Sequence, residues 1–397
     1  MKKIKIAVVK CNDYDYKKIR KCLDESLKFL GGIENLIKSN EKILLKPNIC
    51  NALPPEKADT TNPILLKAVI DTIKEYNKNI VIGESSAGPD PSHTDKAFQI
   101  SGIKEISEIT KTKLRNLSSE PYQEIEIPNA KVVKKTRISK AFFDFDVIIN
   151  IPKLKTHNNT YLTGCVKNCF GLIEKKEREE LHKIDGPGQG SFSQGIVDIY
   201  SVIKPKIRLN IMDAVVGMEG IGTPAGRPKK IGVILMGVDG VAVDSVASSI
   251  IGFKNTLEIP PTRFAYERGL GIATLNKIKL NSNLDDFRMK GFELPLSYTK
   301  KKDTKLIPRF NQNCIKCGLC EQICPKGAIK IGTKNKIDRS KCISCLCCFE
   351  ICENNGIDLI EEVICKKGIV EPENCESCIY YLRKDCRGIG AKNEKIG

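Results

Sequence analysis

The chain has 397 residues, 41% hydrophobic and 28% charged, with 65 Lys and Arg against 48 Asp and Glu, a formal net charge of +17. This excludes a disordered chain and a single small module, and points to two or three folded domains. Apolar runs stay far short of a membrane span, and no basic stripe interleaved with aromatics accompanies the charge. Membranes and nucleic acids are therefore not the expected partners; an anionic small molecule or an acidic protein suits the excess better.

Residues 4–9 (Ile-Lys-Ile-Ala-Val-Val) predict a first strand. The apolar run there is too short for a secretory leader. The expected location is the cytoplasm, where the 18 cysteines serve as metal ligands and free thiols rather than disulfides. Residues 15–30 carry helical spacing (Ile19, Leu23, Leu27, Leu30) and stop at Gly31-Gly32. A short buried strand at 42–45 runs into Lys46-Pro47-Asn48. Pro63, behind Thr61 and Asn62, opens a helix that runs to about Tyr76. Residues 79–83 form another strand, ending in Gly83-Glu84-Ser85. Helices near 93–101 and 103–110 follow, then a hairpin over 124–127 and 131–138.

Residues 146–151 predict an apolar strand that opens into a polar turn, Pro152-Lys153-Leu154-Lys155-Thr156-His157. Residues 163–182 are expected to be mostly helical, starting at Thr163-Gly164-Cys165-Val166-Lys167-Asn168. Beyond a Gly-rich loop come a helix from about Gln194, a strand at 208–212, a loop at 216–228, a strand at 231–236, and helices at 239–251 and 263–268. Strands alternating with helices predict an α/β domain with a mostly parallel sheet over 1–290. A Lys-rich linker is expected at 291–312.

Ligands of open α/β sheets sit at the carboxyl ends of strands. Four such ends here carry chemistry: Lys46 to Asn48, Gly83 to Ser85, Lys153 to His157, and Asp213 with the glycines after it. Any one alone is explained by a solvated loop with a helix cap. Together they predict a pocket for a carboxylate or phosphate, with a helix N-terminus aimed at it. Lys155, His157 and Lys167 are the candidate catalytic groups, His157 because an imidazole titrates near pH ~6.5. Lys46, Asn48, Glu84, Lys153 and Asn168 are the candidate substrate-binding groups. Glu84 suits either a lysine partner or a proton carrier.

The densest signal lies at 313–361. Cys314-x2-Cys317-x2-Cys320-x3-Cys324-Pro325 is followed by Cys342-x2-Cys345-x2-Cys348-x3-Cys352. This is the spacing of two-cluster bacterial ferredoxins, in which the fourth cysteine of each run serves the other cluster. Two [4Fe–4S] clusters are predicted, on Cys314, Cys317, Cys320 and Cys352, and on Cys342, Cys345, Cys348 and Cys324. Glu353 stands where the second copy would carry Pro, and Cys347 is an extra thiol expected to pack as a small hydrophobe. In the tail, 362–397, Cys365, Cys375, Cys378 and Cys386 surround one further Cys-x2-Cys. Their spacing suits a zinc or a third cluster, and equally suits free thiols.

Several segments resemble the family catalogued as domain of unknown function 362: Lys46-Pro47-Asn48, Thr61-Asn62-Pro63, Gly83-Glu84-Ser85, Pro152 to His157, Thr163 to Asn168 and Ala242-Val243-Asp244-Ser245. The resemblance covers roughly 1–290. It implies an α/β domain that often carries a ferredoxin module behind it, and it implies no settled reaction. A fainter likeness to the lactate-racemase-type fold lacks that fold's nickel-site pattern. The expected function is iron–sulfur electron transfer. In one form it is an oxidoreductase or accessory reductase whose ferredoxin module exchanges electrons with a substrate or cofactor on the α/β domain. In the other it is a non-catalytic polyferredoxin-like carrier that docks to a redox partner protein. An enclosed Lys- and His-lined cleft would favour the first, a filled sheet edge the second.

Overall fold

The computed structural model describes residues 3–88, 90–184, 190–223, 225–300 and 304–363. The chain divides into two compact units, Met1–Tyr298 and Thr299–Gly397. The tail cysteines Cys365, Cys375, Cys378 and Cys386 lie outside the described residues.

The first unit is built on β1 (Ile4–Lys10), β2 (Ile43–Pro47), β3 (Ile80–Glu84), β4 (Lys113–Asn116), the separate hairpin β5 (Tyr122–Glu126) and β6 (Lys135–Ser139), then β7 (Val147–Ile151), β8 (Lys153–His157), β9 (Tyr161–Thr163), β10 (Ile207–Glu219), β11 (Arg227–Gly237) and β12 (Ile278–Leu280). Ten of these make one sheet in the order β12-β1-β11-β10-β7-β2-β3-β4, with β8 on β10 and β9 on β8. From β10 to β4 every neighbour pairs in parallel. β11 runs antiparallel between β1 and β10.

All residues of β2 and β7 are buried, as a parallel sheet covered on both faces requires. Alternation sorts them. Ile43 and Leu45 pack with Leu65, Val69 and Ile19 on one face. Leu44 and Ile148 pack with Ile196, Val197 and Tyr200 on the other. The caps form as their residue types dictate: Asp15 accepts from Lys18 N, Gly31 ends the first helix at φ 110, and Asn62 accepts from Ile64 N ahead of a helix with Pro in its first turn. The helix Gly240–Ile250 is buried on every side; its Gly, Ala and Ser residues make that approach feasible, and Ser245 and Ser248 return their hydroxyls to backbone carbonyls.

Three expectations are corrected. The segment after Pro152 is not a polar turn but the wholly buried strand β8, the continuation of β7 along β10. The expected loop at 216–228 lies largely in a long hairpin, because β10 runs to Glu219 with a bulge between Ala214 and Val216. The helix expected over 163–182 is three short pieces, Cys165–Asn168, Cys169–Leu172 and Lys175–His182.

In the second unit β13 (Thr304–Phe310) pairs antiparallel with β16 (Ile357–Val363), and β14 (Ile329–Lys330) with β15 (Lys336–Ile337). The expected linker at 291–312 therefore contributes a strand, which joins the two ends of the cysteine-rich segment.

Candidate functional site: the cysteine loops and the carboxyl edge of the sheet

The two cysteine runs repeat in backbone conformation as well as in spacing. Lys316 and Ser344, Gly318 and Leu346, and Gly327 and Asn355 all have positive φ (59° and 57°, 82° and 63°, 58° and 50°). Each pair is 28 residues apart, the offset that relates Cys314 to Cys342. Left-handed residues alternating with ordinary ones turn successive amides to one side, the conformation that cradles anionic sulfur. At equivalent positions Ala328 N donates to Cys324 Sγ and Gly356 N to Cys352 Sγ, both at 3.2 Å. Asn335 Nδ2 donates to Cys314 Sγ at 3.3 Å.

The sulfurs gather across the two runs. Cys352, Cys314 and Cys317 are the thiols that, after burial itself, push the Cys320 thiol up to about 11. A Cβ at Gly356 would stand 2.8 Å from Cys314 Cα, so glycine there lets the end of the second run close against the start of the first. Cys324 lines one cavity with Cys342, Cys345 and Cys348, walled by Pro308, Ile329 and Leu346. Among the described residues no three His, Cys, Asp or Glu side chains converge as ligands of a single ion. Four thiols around one cavity suit a cubane, whose four iron corners each take one thiolate. Cys347 is buried, its Sγ 3.9 Å from Cys345 O.

At the carboxyl edge of the sheet the lysines do not face an open cleft. Lys46 Nζ lies 2.7 Å from Glu84 Oε2, Lys153 Nζ 2.9 Å from Asp213 Oδ2, and Lys155 Nζ 3.1 Å from Asp59 Oδ1. All six side chains are at most 2% exposed. An ammonium at that depth needs a carboxylate; this is why β8 can be buried. Burial raises the Glu84 pKa against the pull of Lys46 and lowers that of Lys153 against Asp213.

Asparagines join the strands beside these pairs. Asn48 Nδ2 donates to Asn168 Oδ1 at 3.0 Å, Asn168 Nδ2 to Asn150 Oδ1 at 2.8 Å, and Asn150 Nδ2 to Asn210 Oδ1 at 2.9 Å. Asp244 accepts from Cys165 N and Val166 N at 2.6 and 3.1 Å. Gly164 and Gly171 are required by this packing: a Cβ would stand 2.3 Å from Asp244 Oδ1 in one case and 2.4 Å from Glu84 Oε1 in the other.

His157 is buried, and its Nδ1 accepts Asn159 N at 3.0 Å, which leaves the proton of the neutral ring on Nε2. Its pKa is held well below the ordinary value by burial, then by Lys167, His182 and Lys155. His182, 4.2 Å ring to ring from Phe192, is pushed down to about 3 by burial, then by Lys167 and Arg178. Arg178 donates to Ser85 O at 3.2 Å and Ser85 Oγ at 2.8 Å, while its buried Nε has no hydrogen-bond partner among the described residues. Among the described residues Lys167 thus acts on both imidazoles, joined by Lys155 at His157 and by Arg178 at His182. Arg178 and Asp59 carried no signal in the sequence. Arg178 sits in the charged run 174–180, which looks like a solvated helix face, and Asp59 in an irregular loop.

The sequence profile described as Domain of unknown function (DUF362) matches residues 43–249, more than half of the chain. The chain belongs to the DUF362 family. All three buried ion pairs, Asp244 and the His157–Arg178 neighbourhood fall inside the matched DUF362 region. A 4Fe-4S binding domain profile matches residues 309–330, the first cysteine run. The thylakoid-associated protein sll1697 of Synechocystis is 26% identical over 267 residues, 66% of this chain and 78% of that protein. Among solved structures, the lactate racemase apoprotein of Thermoanaerobacterium thermosaccharolyticum superposes at TM-score 0.39 and 11% identity over 60% of this chain. The chain spans 55% of that racemase chain. No helix among the described residues is long and apolar enough to cross a membrane.

The depressed imidazoles make DUF362-domain stability depend on pH. Between the folded value of about 3 for His182 and the unfolded value near ~6.5, the unfolded state binds more protons, so stability falls as pH drops through that window. Asp244, pushed up to about 6 by burial, acts in the opposite direction between about 4 and 6. The comparison that isolates the ring is wild type against His182→Gln by urea unfolding at pH 5 and 7.5. Wild type should lose about 1–2 kcal/mol more than the variant on acidification; equal losses would mean that the ring titrates normally.

Proposed function

We propose that the chain is an iron–sulfur electron-transfer protein with two [4Fe–4S] clusters, one on Cys314, Cys317, Cys320 and Cys352, the other on Cys342, Cys345, Cys348 and Cys324. The observation that carries this proposal is the 28-residue repeat of left-handed residues and N–H···S contacts, which extends to the second run what the 4Fe-4S profile matches only in the first. Bound cubanes supply one-electron steps at negative or modest potentials. The chain's own part is to bind iron through eight thiolates, to exclude water with Ile329, Leu346 and Phe349, and to aim amides at sulfur, which favours the reduced state. Anaerobic analysis of the full chain should find about eight iron and eight sulfide, as two cubanes require. A fully loaded chain with four of each would overturn the second cluster.

We further propose that the DUF362 domain is the oxidoreductase or accessory-reductase part, binding an anionic substrate or cofactor at the carboxyl edge. The protein works in the cytoplasm, with a separate protein as its redox partner. Support comes from Arg178, whose buried Nε has no hydrogen-bond partner among the described residues, and from the placement of Lys167 and Arg178 beside the buried rings of His157 and His182. In this arrangement Lys167 and Arg178 bind the anion, and His157 carries a proton on Nε2. Lys46, Lys153 and Lys155 hold the strand ends in position through their carboxylates, and Asn48 and Asn168 fix the spacing of the strands. Inorganic phosphate or malonate at ten to a hundred times its Kd should stabilise the domain by about 1–3 kcal/mol. Arg178→Ala should lose that stabilisation and Arg178→Lys should keep part of it. Wild type indifferent to both anions would favour the carrier function instead.

A further inference from the structure

The two cysteine loops differ in exposure although their backbones match. In the second, Ser344, Cys345, Leu346, Cys347 and Cys348 are all buried. In the first, Ile315, Lys316 and Cys317 are exposed, and Ile315 is 66% exposed, the most exposed of the large hydrophobic side chains among the described residues. Cys317 is the one exposed thiol among the eight. A lone exposed apolar side chain is ordinary on a protein surface; what sets Ile315 apart is its place two residues from the one exposed thiol of the eight.

Charge divides along the same line. Residues 313–342 hold seven Lys and Arg against Glu321 and Asp338, whereas 343–363 hold Glu350, Glu353, Asp358, Glu361 and Glu362 and no Lys or Arg. Among the described residues of this unit the ion pairs are Arg309–Asp358, Lys330–Glu321, Arg339–Glu362 and Lys341–Asp338. None of these involves Lys316, Lys334 or Lys336. All three are exposed, Lys316 in the loop itself and the other two on a segment that touches it. Lys316 Nζ donates to Thr333 O at 3.3 Å, and Asn335, between Lys334 and Lys336, donates to Cys314 Sγ. The exposed Ile315 thus shares the Cys314–Cys317 loop with Lys316, and the segment carrying Lys334 and Lys336 contacts that same loop.

We infer that this face, Ile315 with Lys316, Lys334 and Lys336, is the docking surface for an acidic protein carrying a one-electron centre close to its own surface. The inference rests on the two-cluster ligation proposed above. Electron tunnelling weakens steeply with distance, so a partner must approach a cluster through its most exposed edge, and Cys317 marks that edge. Ile315 supplies the desolvated centre of the contact, and the lysines supply steering and register. In the transfer one electron leaves the reduced chain and enters the partner's oxidised centre, which takes up any proton itself. No bond of this chain forms or breaks.

The test uses the full iron-loaded chain and flavodoxin, an acidic protein with a one-electron flavin, as the probe. Calorimetric titration at about 20 mM salt should give binding that weakens at least about tenfold at about 200 mM. Lys316→Glu with Lys334→Glu should weaken it about tenfold or more at low salt, and Ile315→Asp should do so with little change in salt dependence. Lys279→Glu, an exposed charge on the first unit, should change nothing. Iron content is measured on every variant. Undiminished binding by variants that retain eight iron would overturn the docking face and leave the clusters standing. Four iron in the loaded wild type would instead overturn the ligation on which the face rests. If Lys316→Glu loses iron, Lys334→Glu alone decides. Tighter binding of a DNA duplex than of flavodoxin, or a dimer that Ile315→Asp splits, would also reject the acidic-protein partner.

Discussion

Cys324→Ala should remove the cluster on the second cysteine run and leave the one that follows Cys324's own run intact. The geometry makes the expectation unusual, since Cys324 belongs by sequence to the first run yet lines a cavity with Cys342, Cys345 and Cys348. A non-additive cycle reads it out. Cys324→Ala and Cys342→Ala should each lower iron from about eight to about four, and the double variant should stay at about four, because both residues serve one cubane. Cys324→Ala with Cys314→Ala should fall toward zero. The reverse pattern, with Cys324 and Cys314 non-additive, would mean that each run holds its own cluster. Cys352→Ala should mirror Cys324→Ala with the clusters exchanged. The chain should keep its far-UV signal in all of these, because the first unit has its own three-part core.

The cysteine loops were legible because ligand spacing is local: four residue identities within eleven positions specify a loop, and the loop specifies its sulfurs. The parallel sheet was legible for a similar reason. The buried strands β2, β3 and β7 are short apolar runs bounded by turn chemistry, and Asn62 ahead of Pro63 announces its helix. The carboxyl edge was only half legible. Lys46, Lys153 and Lys155 were found, but as an anion site. Their partners Glu84, Asp213 and Asp59 are 38, 60 and 96 residues away, and nothing local says which distant carboxylate meets which lysine. Without those partners β8 looks too charged to be buried, and so it was expected to be a turn. The same blindness hid Arg178, whose neighbours in sequence are solvated charges and whose neighbour in space is Ser85.

Asp213→Ala should be the most damaging single substitution in the first unit. Asp213 accepts four donors: Lys153 Nζ at 2.9 Å, Tyr14 OH at 2.8 Å, Asn62 N at 2.9 Å and Val215 N at 3.3 Å. It thereby joins the loop after β1, the cap of the helix Pro63–Lys74, β8 and β10. Removing it leaves the Lys153 ammonium at 1% exposure with Tyr14 OH as its remaining hydrogen-bond partner among the described residues. An orphaned buried charge of this kind costs about 3–5 kcal/mol. Asp213→Asn keeps the shape but not the charge and should cost less, about 2–3 kcal/mol, near the value of a charged hydrogen bond. Lys153→Met should be milder than Asp213→Ala, because Asp213 would retain Tyr14 and two backbone amides. The double variant Lys153→Met with Asp213→Ala removes both charges and should be less damaging than the two single losses added together, a coupling of at least about 1 kcal/mol. Urea unfolding followed by far-UV circular dichroism measures all four, with Tyr14→Phe as a control that deletes one donor. Additive losses, or an Asp213→Ala variant within about 1 kcal/mol of wild type, would show that solvent reaches Lys153. In that case the lysines of the edge would be open to an anion after all, and Lys153 and Lys155 would join Arg178 and Lys167 as its binding groups.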